Sequence, residues 1–435
     1  MYISQCLIAK NEEENIGYCL NHLKSVVDEQ IVVDTGSSDR TVEIAKEIGA
    51  EVFHYEWIDD FSAARNFALS KAKGDWIIFL DCDEYFDDNS IPLIKNYIEV
   101  IDGEKHIDGI LSEFINIDKD KNIISTVKNI SARIFRNKKN IRYKNRIHEL
   151  LADLGRENFD FNVVCYDGSK ELKILHTGYD KTVVKEKSKN ERNITMLKKE
   201  LSENPGDLKL NLYVSQSLYM NGEYMEALNY GLQALKYMDE YKEQDYYPII
   251  YRGIMSSMYS LAVTYDGIKS IFDQAIKRYS FYPDYYMIMG MAALLYGRNE
   301  EAADFMEKCI YYSSNYNRNA ESIAIGQINH VYEKLLTAYT LSGNKFKIVE
   351  IATTLLSTDK YDFKTLTILL ETLSIEESQH NIVNFLGKIY DCSKFKDKIY
   401  LIKACNSVKD ESLGNYYKSI LNESELEVCR NSGLC

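Results

Sequence analysis

Three stretches in residues 1–81 constrain the fold most: YISQCLIAK, QIVVDTG and DWIIFLD. All three read as strands. The last two are apolar on consecutive positions, which suits strands buried on both faces. Helical spacing fills the gaps. In NEEENIGYCLNHLKSV, Ile16, Cys19, Leu20 and Leu23 share one face. SSDRTVEIAKEIGA has a cap at Ser38 or Asp39 and closes on Gly49. A strand, AEVFHYEW, and a helix, DFSAARNFALSKAKG, complete the series. This βαβαβαβ order predicts a parallel, doubly wound sheet with helices on both faces. Ligands bind such sheets outside the carboxyl ends of the strands, where Asp34 and Asp81 are expected. Beyond residue 100, DGILSEFINI, TVKNISARIFR and ELKILHTG predict a mixed extension of the sheet.

From about residue 182 the strand pattern disappears. In NGEYMEALNYGLQALKYM, Gly222, Tyr224, Ala227 and Ala234 fit the second half of a tetratricopeptide unit. Gly290, Gly297 and Ala302 fit another, with Cys309 in place of an alanine. A degenerate unit is expected between them, around IFDQAIKRY, and weaker helix pairs follow. Such repeats stack into a solenoid with a concave binding face. The organisation expected is an α/β domain over 1–180, a linker helix over 181–203 and an all-α repeat domain over 204–425.

The formal net charge of −14 argues against nonspecific binding to nucleic acid or to an anionic membrane. No signal peptide or membrane span is legible. The nine cysteines are scattered without zinc-type pairing, as in a reduced cytoplasmic protein whose thiols pack as small apolar groups. The tail CRNSGLC, from Cys429 to Cys435, is expected to fray.

The chemistry gathers in GDWIIFLDCDEYFDD, where Asp81, Asp83 and Glu84 crowd the end of a buried strand. Like charges repel, so either the cluster is a solvated turn or something positive sits among them. In an extended chain Asp81 and Asp83 face one side and Cys82 the other. Two carboxylates there suit Mg²⁺ or Mn²⁺, which stabilises a diphosphate leaving group.

LIAKNEEENI, IVVDTGSSDRT, FSAARN and WIIFLDCDE follow in that order. Together they resemble the family 2 glycosyltransferases over about the first 180 residues. The resemblance implies a GT-A (Rossmann-like) fold and a UDP-sugar donor. It implies that Asp34 reads the uracil or ribose, that Asn11 and Arg65 sit at the nucleotide, and that Asp81 lies near the ribose. Asp83 would bind the metal, with His176 as a further ligand. The blander readings are a turn cap for Asp34, a helix cap for Asn11, a surface residue for Arg65 and a domain-boundary histidine for His176. His148 and Glu149, in RIHE, are candidates for the base of an inverting transfer, or else orient the acceptor or the loop. The basic stretch from Arg133 to Arg146 is either a solvated face or an attraction for the diphosphate. GSSD is not the Gly-x-Gly-x-x-Gly dinucleotide fingerprint, which disfavours a dehydrogenase.

A short GT-A domain joined to tetratricopeptide repeats resembles the sublancin-type (glycocin) peptide S-glycosyltransferases. That resemblance implies hexose transfer to a Cys thiol, or to Ser or Thr, of a peptide such as a bacteriocin precursor. The repeats would grip the peptide, mediate a homodimer, or both. The alternatives are a family 2 enzyme acting on a surface polysaccharide or glycolipid, and a non-catalytic repeat scaffold.

Overall fold

The computed structural model describes residues 1–118, 121–127, 132–155, 163–177, 183–238, 247–318, 320–431 and 433. The chain divides into two compact units, Met1–Pro205 and Gly206–Cys435.

The first unit opens with β1 (Ile3–Ala9), α1 (Ile16–Leu23), β2 (Glu29–Asp34), α2 (Thr41–Ile48), β3 (Glu51–His54), α3 (Phe61–Lys71) and β4 (Trp76–Phe79). The four strands are parallel, in the order β3-β2-β1-β4. Ile16, Cys19, Leu20 and Leu23 are the buried face of α1, and all of β4 is buried. Helix α2 ends on Gly49, whose φ of 100° is the left-handed conformation that glycine adopts without strain. Its N-cap is Arg40 rather than Ser38 or Asp39, and Asp39, one residue before it, accepts from the Thr41 N–H.

The chain continues through β5 (Glu84–Phe86), α4 (Ile91–Asp102), β6 (Gly109–Leu111), β7 (Glu113–Ile117), β8 (Ile123–Val127), β9 (Ala132–Arg136), β10 (Ile141–Lys144), β11 (Leu150–Asp153), β12 (Cys165–Asp167), β13 (Lys173–His176) and α5 (Val183–Glu203). The expected mixed extension is present. Strand β9 lies antiparallel to β4, and the full sheet runs β12-β6-β9-β4-β1-β2-β3. DGILSEFINI is two strands rather than one. The chain leaves the large sheet at Ser112 and enters a four-stranded sheet, β5-β13-β7-β8.

The second unit contains fourteen helices among the described residues, from Leu208 to Asn431, packed on one continuous core. The repeat positions behave as tetratricopeptide packing demands. Ala227, Ala234, Ala302 and Cys309 are fully buried. A Cβ on Gly290 would come 2.7 Å from Met306, so two helices approach there more closely than a side chain permits. The degenerate unit is the helix Tyr265–Tyr279, with Ala275 fully buried. The tail departs from expectation. Helix Glu423–Asn431 buries Cys429, which is disulfide-bonded, because its sulfur packs into the repeat core instead of fraying. Cys429 thus departs from the reduced state expected of every thiol. Cys435 lies outside the described residues. Among the described residues no helix is long and apolar enough to cross a membrane.

Candidate active site

The carboxyl ends of the parallel strands carry the candidate residues. Asp34 is the last residue of β2, 6% exposed, and pairs in register with His54 of β3. Its carboxylate accepts from the N–H groups of Gly36 (3.2 Å) and Ser37 (3.0 Å) and lies 3.3 Å from His54 Nδ1. Burial pushes this carboxyl up, but the hydrogen bonds from Ser37, His54 and Gly36 prevail and hold it below the usual range. The turn therefore is capped by Asp34, and the carboxylate is kept ionised at the crevice. Asn11 has a left-handed φ of 57° and is no helix cap. Its Oδ1 accepts from Ser38 N (2.8 Å) and its own N–H donates to Ser37 Oγ (2.9 Å). Asn11 thus ties the loop after β1 to the GSSD turn.

Arg65 is not a surface residue: it is 4% exposed on the buried face of α3. Its Nη2 donates to Asp81 Oδ1 (2.8 Å), and Nε and Nη2 both reach Glu149 Oε1 (2.9 and 2.8 Å). The guanidinium also lies over the rings of Phe79 (4.8 Å) and Tyr143 (5.3 Å). Burial works against the charge, but Asp81 and Glu149 outweigh it and raise the pKa.

Asp81 and Asp83 do not share a side. Strand β4 ends at Phe79, and residues 81–83 form a turn closed by Glu84 N donating to Asp81 O at 3.0 Å. The extended-chain expectation fails because the chain must reverse here to start β5 in the smaller sheet. Asp81 turns to Arg65 and to Arg133, whose Nη2 is 3.6 Å away. Burial raises the Asp81 carboxyl, but the two arginines dominate and hold it low. Glu84, 2% exposed, accepts from Arg133 and from Asp81 N. Burial there outweighs Arg133 and pushes the Glu84 carboxyl up. Arg65 and Arg133 are thus the positive groups that the carboxylate cluster required. Cys82 points into the core beside Leu7 and Ala9.

Asp83 faces the smaller sheet. Its Oδ2 lies 3.4 Å from His176 Nε2. His176 pairs in register with Asn116 of β7, so both side chains rise from one face, and Nδ1 meets Asn116 Oδ1 at 2.8 Å. Assigning the Nδ1 proton to that bond leaves Nε2 presenting its lone pair to a carboxylate. Two such acceptors 3.4 Å apart need a proton or a cation between them. An imidazole and a carboxylate suit Mn²⁺. Among the described residues no group of three or more His, Cys, Asp or Glu side chains forms a metal centre.

His148 has a left-handed φ of 52°. Desolvation holds its imidazole below the usual value, opposed by Glu149. Glu149 is committed to Arg65 through Oε1. Four of the seven cations in the basic stretch, Arg133 among them, are paired with carboxylates. Arg136 is buried on Asp102 (2.6 Å) and over Trp76, Lys138 pairs with Asp108, and Arg146 pairs with Glu203 (3.1 Å). These acidic partners come from distant segments, so their neutralising effect was not visible in the run itself. Asn116 and Tyr143 are not singled out in the sequence, and Arg133 reads there only as one cation of the basic run. Arg133 sits in a short strand whose sheet neighbours, β4 and β6, come from earlier in the chain, and Tyr143 packs on Phe79 of β4.

Residues 4–158 match the family model described as glycosyl transferase family 2. A TPR repeat-containing protein of Synechococcus elongatus is 32% identical over 238 residues, 54% of this chain and 56% of that protein. The SPbeta prophage-derived glycosyltransferase SunS of Bacillus subtilis is 27% identical over 243 residues, 55% of each. The chain spans about half the length of these curated relatives. Among solved structures, the TPR protein YrrB is 14% identical across 51% of this chain and 97% of its own, but a TM-score of 0.36 gives that likeness no weight. The chain carries a family 2 glycosyltransferase domain at its N-terminal end, followed by a tetratricopeptide-like helical region.

Proposed function

We propose that this protein is an inverting glycosyltransferase. It moves a hexose from a UDP-sugar, with Mn²⁺ or Mg²⁺, to a peptide side chain, with a Cys thiol favoured over Ser or Thr. The observation that carries this reading is the division of labour in the Asp-x-Asp turn: Asp81 is neutralised by arginines, while Asp83 faces His176 across 3.4 Å. In this reading Asp34 and Asp81 hold the nucleoside, with Arg65 fixing Asp81. Asn11 shapes the GSSD turn beneath the nucleotide. Asp83 and His176 would hold the cation, whose chemistry is to take up charge on the departing diphosphate.

Inversion requires the acceptor to attack C1 on the face opposite the leaving UDP. One bond forms from sulfur to carbon, and the C1–O bond to phosphate breaks. In this reading Glu149, oriented by Arg65 through Oε1, or His148 takes the proton of an acceptor that ionises readily. A thiol, with a pKa of about 8.5, does so near neutral pH. The thiol preference and the peptide acceptor are supported by the architectural likeness to peptide S-glycosyltransferases. The repeat unit offers the surface to grip the peptide or to pair two chains.

The test is thermal stabilisation and donor hydrolysis with a panel of UDP-sugars, with Mn²⁺ or EDTA, on wild type and Asp83→Ala. One donor should stabilise the wild type only with metal, and Asp83→Ala should lose about 10²–10³-fold in turnover. Full activity of Asp83→Ala, or equal stabilisation in EDTA, would sink the metal-dependent reading.

A further inference from the structure

We propose that Glu200, on helix α5, is a positioning residue for the loop that carries Glu149. Strands β10 and β11 pair with Lys144 opposite Leu150, so residues 145–149 form the hairpin loop. Two of its non-glycine residues are left-handed, Asn145 at φ 71° and His148 at φ 52°. Such a conformation is strained for a residue with a side chain and persists only where its surroundings hold it.

The holding contacts are specific and come from two helices. From α3, Ser62 Oγ donates to Asn145 O at 2.6 Å, and Phe61 N donates to Arg146 O at 2.8 Å. From α5, Glu200 Oε2 accepts the Arg146 N–H at 3.1 Å, and Glu203 pairs with the Arg146 guanidinium at 3.1 Å. Arg192 of α5 also lies over the Phe61 ring at 5.4 Å, bracing the start of α3. The peptide unit of Arg146 is therefore clamped on both sides, its carbonyl by α3 and its N–H by α5. Three residues later Glu149 meets Arg65, which in turn holds Asp81.

A carboxylate on a backbone N–H is a charge-assisted bond and the stronger half of this clamp. Releasing it lets the strained loop relax, and Glu149, Arg65 and Asp81 move with it. Helix α5 is thus part of the frame of the site as well as the segment leading to the repeats. The inference depends on the glycosyltransferase reading only for its kinetic arm.

The experiment uses the full chain as wild type, Glu200→Ala and Glu200→Gln. Hydrogen exchange is followed over residues 145–150, and steady-state kinetics with the UDP-sugar that supports turnover. Glu200→Ala should speed exchange in that segment about tenfold without loosening β1, β2 or β4. It should lower kcat about tenfold and leave the KM for donor within about twofold. Glu200→Gln keeps an amide oxygen that accepts the same N–H and should restore both. Three results overturn the proposal: unchanged exchange in Glu200→Ala, loosening of the whole unit, or a Glu200→Gln as defective as Glu200→Ala. If the wild type turns over no UDP-sugar, the transferase reading fails, and the exchange arm still decides the role of Glu200.

Discussion

Both units bury charge, and they use it differently. In the repeat unit Asp284 is fully buried, and every partner completes a structural bond. It accepts from Ser322 Oγ and from the N–H groups of Ile323 and Ala324, and it pairs with Arg252 at 3.3 Å. Asp397 likewise takes Lys360, Tyr361 and the Asp391 N–H. In the first unit Arg65 is almost as buried, yet its Nη1 has no hydrogen-bond partner, nor has the adjacent Tyr143 hydroxyl. The repeat unit's unsatisfied buried atoms, among the described residues, belong to hydroxyls and an amide and to no ionised group. A buried charge whose bonds are all filled locks a fold. One left short of a bond marks a place where the fold has been compromised for something else.

Substitution at matched positions puts that difference to the test. Asp284→Ala takes the carboxylate from Arg252 and strands two backbone donors, and Arg65→Ala strands Glu149 and leaves Asp81 with Arg133 alone. Each should cost about 3–5 kcal/mol in chemical denaturation. The two should part on donor binding, which Asp284→Ala leaves intact and Arg65→Ala abolishes. Equal loss of binding would erase the distinction between the units.

A smaller effect is expected at Asn116. Asn116→Leu removes the acceptor that sets the His176 tautomer, and Mn²⁺ affinity should fall about 10–100-fold with little change in melting temperature. Asn116→Asp should bind Mn²⁺ at least as well as wild type. An Asn116→Leu that titrates like wild type would mean the tautomer is set elsewhere.

The smallest effect is at His148. Its folded pKa is depressed below the ordinary 6.5, so the folded state binds this proton less readily than the unfolded chain. Stability should therefore decline as pH falls from 6.5 towards the lower folded value, and His148→Gln should flatten that part of the profile. A profile unchanged by the substitution would assign the slope to other groups.

Much of this was legible from local pattern. The buried face of α1, the uninterrupted apolar β4 and the small residues of the repeats follow from periodicity, because each depends on neighbours within one or two turns. What escaped depends on chain-distant partners. Ser112 looks like any strand residue, and only the arrival of β9 and β13 decides that the chain changes sheets there. Arg133 reads as one cation in a basic run, while its partners Asp81 and Glu84 lie about fifty residues earlier. Motif order singled out Asp34, Arg65, Asp81 and Asp83 as candidates, and the family resemblance added His176. It did not foresee that Arg65 and Glu149 bind each other, since their meeting depends on a strained loop held by α5.

The turn from Asp81 to Asp83 straddles the two sheets of the first unit. Asp34, Arg65 and Asp81 are mounted on the larger sheet and its helices, and Asp83, Asn116 and His176 on the smaller one. On the function proposed above, nucleotide choice and cation choice are separable modules. Repacking β7 and β13 can change which ion is preferred while the base and ribose contacts stay where they are, and a designer can evolve the two halves independently.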